Sequence, residues 1–128
     1  MSNWQAGHID EIASDKWPHW IPVRHHFAIE SFGINVWRGR DDGTVIPEHN
    51  EGEDGAPELY YTAEGHAVFT VDGDRVDAPA GTFVWVTEPT CSRSAVAEAD
   101  GTLVLSIGAA SPGQAYTPSG WDSHYLDG

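Results

Sequence analysis

Along most of this chain apolar and polar residues alternate in short runs, and the alternation has a period of two. From Phe32 onward each run is of strand length and closes on a turn signal, and no apolar spacing of helical period lasts long enough to compete. The pattern predicts strands over 31–38, 44–50, 58–64, 66–71, 74–78, 82–87, 92–97 and 102–109, and therefore an all-β domain. That number of strands suits a closed antiparallel barrel. Within the 58–64 run Glu58, Tyr60 and Thr62 share one face, and within 82–87 the set Thr82, Val84 and Val86 faces away from Phe83 and Trp85.

The punctuation between runs has physical causes. Asp72-Gly73 and Asp100-Gly101 are dipeptides that accept the positive φ of tight hairpin turns, and Asp42-Gly43 closes another connection. Each predicts an antiparallel neighbour. Pro79-Ala80-Gly81 cannot sit in a central strand, since proline lacks the donor and glycine the side chain, so it predicts a sharp turn. The polar stretch 51–57 is longer than a hairpin needs, and loops of that kind often border a site.

The two ends differ from the middle. Two prolines interrupt the aromatic segment Trp17-Pro18-His19-Trp20-Ile21-Pro22 and argue against a regular helix there, so residues 1–30 are expected as an extended arm packed on the barrel or on a second subunit. The barrel itself takes residues 31–110. Residues 111–128 have turn chemistry with Tyr116 and Trp121 as isolated anchors, which predicts a strap over the surface.

Composition narrows the function. A chain of 128 residues supports one domain, and 40% hydrophobic with 11% aromatic residues argues against disorder. Twenty acidic against six basic side chains give a formal charge of -14, which repels phosphate backbones and acidic lipid surfaces, so nucleic acid and membrane are excluded as partners. The longest apolar stretches, 82–86 and 103–107, are of strand length, and no N-terminal cationic region precedes an apolar run. A cytoplasmic protein is expected. Cys91 stands alone, which excludes an internal disulfide and a thiolate zinc site, and it reads as a small half-buried residue.

Residues 44–108 carry a resemblance. The run from Glu58 to Gly65 has the spacing between glutamate and glycine of the first cupin motif, a DG hairpin follows at Asp72-Gly73, and Pro79-Ala80-Gly81 resembles the opening of the second motif. The chain thus resembles the cupin family. The resemblance implies a jelly-roll (double-stranded β-helix) barrel around a small-molecule cavity, and in the family's usual site three imidazoles and one carboxylate converge on a metal ion. Here the histidine pair reads His49-Asn50-Glu51, so a carboxylate stands in the second imidazole's place, and the position three residues after Gly81 holds Val84. His49, Glu51 and Glu58 remain as one nitrogen and two oxygen donors. Such a set suits a divalent ion such as Mn, Zn, Fe or Mg.

Beside these, Tyr60, Thr62 and Val84 are candidates to line the cavity, and Arg38 could pair with an anionic ligand. Arg93 offers the same pairing, although for both arginines an ordinary ion pair with the acidic surface is the plainer expectation. The adjacent pair His25-His26 would point to opposite faces of an extended segment, so only one ring could join a site. No glycine-rich phosphate loop, serine elbow or complete calcium loop is present.

The sequence therefore predicts a cupin-like barrel, a homodimer through its aromatic arm, that binds a small molecule in the barrel with an altered or vestigial metal site. The competing expectation is a metal-dependent dioxygenase, isomerase or lyase acting on a small polar metabolite. In that case His49, Glu51 and Glu58 hold the ion and Tyr60 supplies a proton or a hydrogen bond.

Overall fold

A computed structural model describes residues 3–117. Its elements are α1 (Ile9–Ile12), β1 (Trp20–Ile21), α2 (Val23–Phe27), β2 (Gly33–Arg38), β3 (Thr44–His49), β4 (Glu58–Glu64), β5 (His66–Val71), β6 (Asp74–Pro79), β7 (Phe83–Val86), β8 (Arg93–Ala97) and β9 (Leu103–Gly108). Every strand pair is antiparallel. The ladders make two sheets, a larger one in the order β1-β2-β9-β4-β7 and a smaller one in the order β3-β8-β5-β6. The two sheets form the antiparallel all-β fold that the strand pattern predicts, and no ladder joins one sheet to the other among the described residues.

Alternation builds the layer between the sheets. On β2 and β9 every second residue is buried, and register brings the inward residues into rows: Asn35 beside Ser106 and Ser106 beside Tyr60, then Tyr60 beside Val84. Phe69 and Ala95 answer them from the smaller sheet. Tyr60 meets Phe69 with ring centroids 5.3 Å apart. Burying each large apolar side chain of this layer contributes about 1.5–3 kcal/mol.

The turns behave differently from their sequence reading in two places. Asp72-Gly73 joins β5 to β6 in a true hairpin. Asp42-Gly43 and Asp100-Gly101 instead join strands of opposite sheets, β2 to β3 and β8 to β9, so they are corners and not hairpins. The dipeptide specifies a local backbone conformation, and that conformation serves a corner as well as a hairpin. Gly65 makes the corresponding corner between β4 and β5. Its φ is +75°, and a Cβ there would come within 2.4 Å of Thr102 Oγ1, so no other residue fits without movement.

The N-terminal arm is less extended than its prolines implied. Pro22 occupies the N-cap of α2, where its missing donor does no harm, and the helix closes on Ala28 in a left-handed conformation. β1 pairs with β2 and buries Trp20 and Ile21. His25 and His26 therefore sit on a helix, both exposed, and His26 packs edge-on against Phe27. Tyr116 reaches back to Gly33 on β2, while Trp121 lies outside the described residues. No helix among the described residues is long and apolar enough to cross a membrane.

Candidate functional site

Four ionisable side chains meet between the sheets at one end of the layer. His49 is the last residue of β3, an edge strand that carries Pro47 and two register shifts against β8. Proline is tolerated at an edge, and after the second register shift His49 pairs opposite Arg93. Arg93 opens β8 on the same face as the small residues Ala95 and Ala97, which leaves room for a guanidinium. Glu58 opens β4 in the larger sheet, between Val86 and Gly108. Glu51 lies beyond β3 in the connecting loop, held by its backbone N–H donating to Pro89 O at 2.8 Å. That loop folds back so closely that a Cβ on Gly55 would fall within 2.1 Å of the Glu51 carbonyl oxygen.

The contacts are short and mostly ionic. His49 Nε2 lies 3.0 Å from Glu51 Oε1 and 3.9 Å from Glu58 Oε1, and its Nδ1 is 2.8 Å from Pro47 O. Arg93 Nη1 donates to Glu58 Oε1 at 2.9 Å and stands 3.9 Å from Glu51 Oε1. Its Nε donates to Cys91 O at 2.9 Å. Tyr60 donates its phenol to the same Glu58 oxygen at 2.8 Å. The Arg93 side chain has no exposed surface, whereas His49, Glu51 and Glu58 are 12%, 10% and 16% exposed and can be reached from outside.

Electrostatics follow from this crowding. Burial disfavours the charged form of His49, but hydrogen bonds to Glu51, Glu58 and the Pro47 carbonyl outweigh it and raise the pKa to about 9. Glu51 is pushed up, chiefly by burial and then by the neighbouring Glu58 carboxylate. Glu58 moves the other way, because hydrogen bonds to His49, Glu51 and Tyr60 overcome the same burial. Burial and the Glu58 charge keep the Tyr60 phenol protonated far above its usual range. Two cations face two carboxylates, so the group is close to neutral in itself.

The nitrogen of His49 and one oxygen each of Glu51 and Glu58 lie within 4.8 Å of one another, and this group could hold a metal ion. Number and type of donor fit. The surroundings fit less well, since Arg93 already donates to the Glu58 oxygen and would face a divalent ion across it. The other residues singled out in the sequence lie elsewhere. Tyr60 and Thr62 face inward but are sealed in the interior, and Val84 packs beside Tyr60, one row deeper than Glu58. Arg38 is on the opposite side of β2, bonded to Asp10 of α1 at 3.2 Å, and is not part of this group.

No protein-family model matches the chain, and no curated protein matches it. Solved structures do. A cupin protein from Bacteroides fragilis superposes over 94% of this chain and 96% of its own with a TM-score of 0.67 at 19% identity. The fold is the cupin fold. A sugar phosphate isomerase from the cupin superfamily of Silicibacter pomeroyi matches 73% of this chain and 59% of its own, with a TM-score of 0.57 at 15% identity. KdgF from Halomonas sp. matches 62% of this chain and 70% of its own, with a TM-score of 0.54 at 16% identity. On this fold Arg93, which sequence reasoning placed by preference in an ion pair with the acidic surface, joins the His49, Glu51 and Glu58 group. Its parity with Ala95 and Ala97 was a usable signal for an inward side chain.

Proposed function

We propose that this cupin domain binds a small polar organic molecule at the His49, Glu51, Glu58 and Arg93 group, and that the guanidinium takes the place a metal ion would have. The observation that carries the reading is Arg93, fully buried and donating to Glu58 at 2.9 Å. A divalent ion on the same carboxylates would sit beside a fixed positive charge that cannot deprotonate. Glu51 and Glu58 are part-exposed, and their carboxylate oxygens would accept from an incoming hydroxyl or amino group. A ligand rich in such donors, neutral or carrying an ammonium, suits the two part-exposed carboxylates. The same proposal takes residues 1–30 as an arm, 31–110 as the barrel and 111–128 as a strap, of which 1–2 and 118–128 lie outside the described residues; the pairing of β1 with β2 supports the arm.

A second reading rests on the donor geometry, one nitrogen and two oxygens within 4.8 Å. There His49, Glu51 and Glu58 hold a divalent ion that acts as a Lewis acid on a small metabolite. Tyr60, buried and bonded to Glu58, is then a positioning residue.

One experiment separates them. Protein purified without chelator and equilibrated with manganese, zinc or iron is expected to retain far less than one ion per chain. In parallel, a panel of polyols and amino compounds is screened by thermal shift, and a compound that stabilises the wild type is expected to lose that effect in Glu51→Gln. Stoichiometric metal that disappears in His49→Ala and Glu58→Ala would instead establish the metal reading.

A further inference from the structure

Three of the six tryptophans and two of the six Lys and Arg side chains meet at one place away from the His49 group. Trp17, Trp20 and Trp37 line a cavity of about 180 Å³ there, and Lys16, His19 and Arg40 complete its wall. No carboxylate lines it among the described residues, although the chain holds twenty. The cavity lies towards the other end of the strands from Glu58. Gly33 and Gly108 stand in the row of Glu58, whereas Trp37 stands in the row of Val104 and Thr62, four residues further along β2 or roughly 13 Å.

Local structure holds the cavity in shape. Trp20 of β1 pairs with Trp37 of β2, and both are buried. Trp37 Nε1 donates to Ser106 Oγ at 3.0 Å, which fixes the plane of that indole. Ahead of β1 the Trp17 N–H donates to the carbonyl and hydroxyl oxygens of Ser14, each at 3.2 Å. The Arg38 N–H donates to His19 O at 2.8 Å and ties this segment to the end of β2, while Pro18 restricts the backbone between the indoles. Two exposed cations join these aromatics. Lys16 Nζ lies 5.5 Å from the centroid of the Trp17 ring. Arg40 forms no ion pair among the described residues. His19 Nδ1 is buried without a hydrogen-bond partner among them, so the wall also holds a polar atom that the protein itself leaves unsatisfied.

We infer that this cavity binds a small aromatic carboxylate, with its single ring among the indoles and its anionic group on Arg40 and Lys16. Volume sets the size. About 180 Å³ equals roughly six waters at about 30 Å³ each, which admits one ring bearing a carboxylate but not a nucleotide. The indoles select a ring, through offset or edge-on contacts. Charge selects the anion. A cage for an ammonium ligand offers aromatic faces without competing cations, whereas this one carries two, and a guanidinium can meet both oxygens of a carboxylate. The net charge of -14 does not reverse the preference at physiological ionic strength, where fields fade over about 8 Å and the lining side chains decide. The inference is independent of what the His49 group binds.

An NMR titration of the ¹⁵N-labelled full chain with benzoate tests it, beside benzamide and benzylamine, which keep the ring and change the charge. Benzoate is expected to bind with a Kd of about 1 mM or tighter, several-fold more tightly than benzamide, with benzylamine weakest. The indole N–H signals of Trp17, Trp20 and Trp37 should move, and those of the exposed Trp4 and Trp85 should not. Arg40→Gln, a change at an exposed position, should abolish the preference for benzoate over benzamide. Trp17→Leu should weaken both ligands roughly tenfold. The inference is overturned if benzoate fails to bind at about 10 mM or binds no more tightly than benzamide. Shifts confined to Trp4, Trp85 or the amides of residues 49–58 also overturn it, as does a preference that survives Arg40→Gln.

Discussion

Replacing Arg93 with methionine tests the site through its electrostatics. The guanidinium is fully buried, donates to Glu58 at 2.9 Å and lies 3.9 Å from Glu51. Methionine fills similar volume but leaves two carboxylates facing one imidazolium. Breaking a buried ion pair from one side costs about 3–5 kcal/mol, and the unmet carbonyl of Cys91 adds about 1 kcal/mol, offset by about 1 kcal/mol from the more apolar side chain. The net expectation is a loss of about 3–5 kcal/mol near neutral pH. For a domain of this size that lowers the melting temperature by about 10–20 °C. The loss should shrink on acidification, because Glu58 freed from Arg93 takes up a proton more readily and no longer carries an uncompensated charge.

Urea unfolding followed by tryptophan fluorescence, at about pH 7 and about pH 5, measures both effects. Combining the substitution with Glu58→Gln should be less damaging than the sum of the two, by about 2 kcal/mol. Arg93→Lys should not rescue, since an ammonium cannot reach Glu58 and the carbonyls of Cys91 and Pro89 together. A loss below about 1 kcal/mol, unchanged by pH and additive with Glu58→Gln, would refute the assignment of a buried, charge-compensating Arg93.

Three further outcomes are expected. His49 has its pKa raised from 6.5 to about 9 on folding, so its contribution is complete below about pH 6.5 and is lost as pH rises through 9; unfolding free energy should fall by up to about 3 kcal/mol across that interval, and His49→Gln should flatten the profile. Gly65→Ala puts a Cβ against Thr102 at a φ of +75° and should cost about 3 kcal/mol in urea unfolding, whereas a cost under about 1 kcal/mol would mean the corner relaxes freely. Replacing His49, Glu51, Glu58 and Arg93 together by leucine and methionine should leave stability unchanged or raise it by about 1–4 kcal/mol, with binding of any compound found by thermal shift abolished.

The strands were legible because the inner layer demands alternation. β4 spans the expected residues, and β7 starts one residue later and ends one earlier than its run of alternation. What the sequence could not carry was long-range. Nothing local in Asp100-Gly101 says that Leu103 will pair with Arg38 and Glu64 instead of with β8. Arg38 follows Trp37, and since a buried indole owns the inner side, the arginine had to face out. Arg93 was the harder case. Its partners Glu51 and Glu58 come from a loop and from the other sheet, and His49 comes to lie opposite it only after two register shifts of β3 against β8.

Those four residues are a poor choice if stability were all that the mouth of this sandwich had to provide. Taking two carboxylates, a guanidinium and an imidazole largely out of water costs several kcal/mol per ion, and their mutual attraction at best balances it. The rest of the inner layer avoids charge altogether, with Ile46, Phe69, Val84 and Val104 doing the packing. Charge is concentrated where the layer opens, on residues that remain 10–16% exposed, with Arg93, the one fully buried ion among the described residues, behind them as counter-charge. Under the proposed function, a fixed cation holds the two carboxylates ready for a ligand, and that reading accounts for both His49, Glu51 and Glu58 and the arginine beside them.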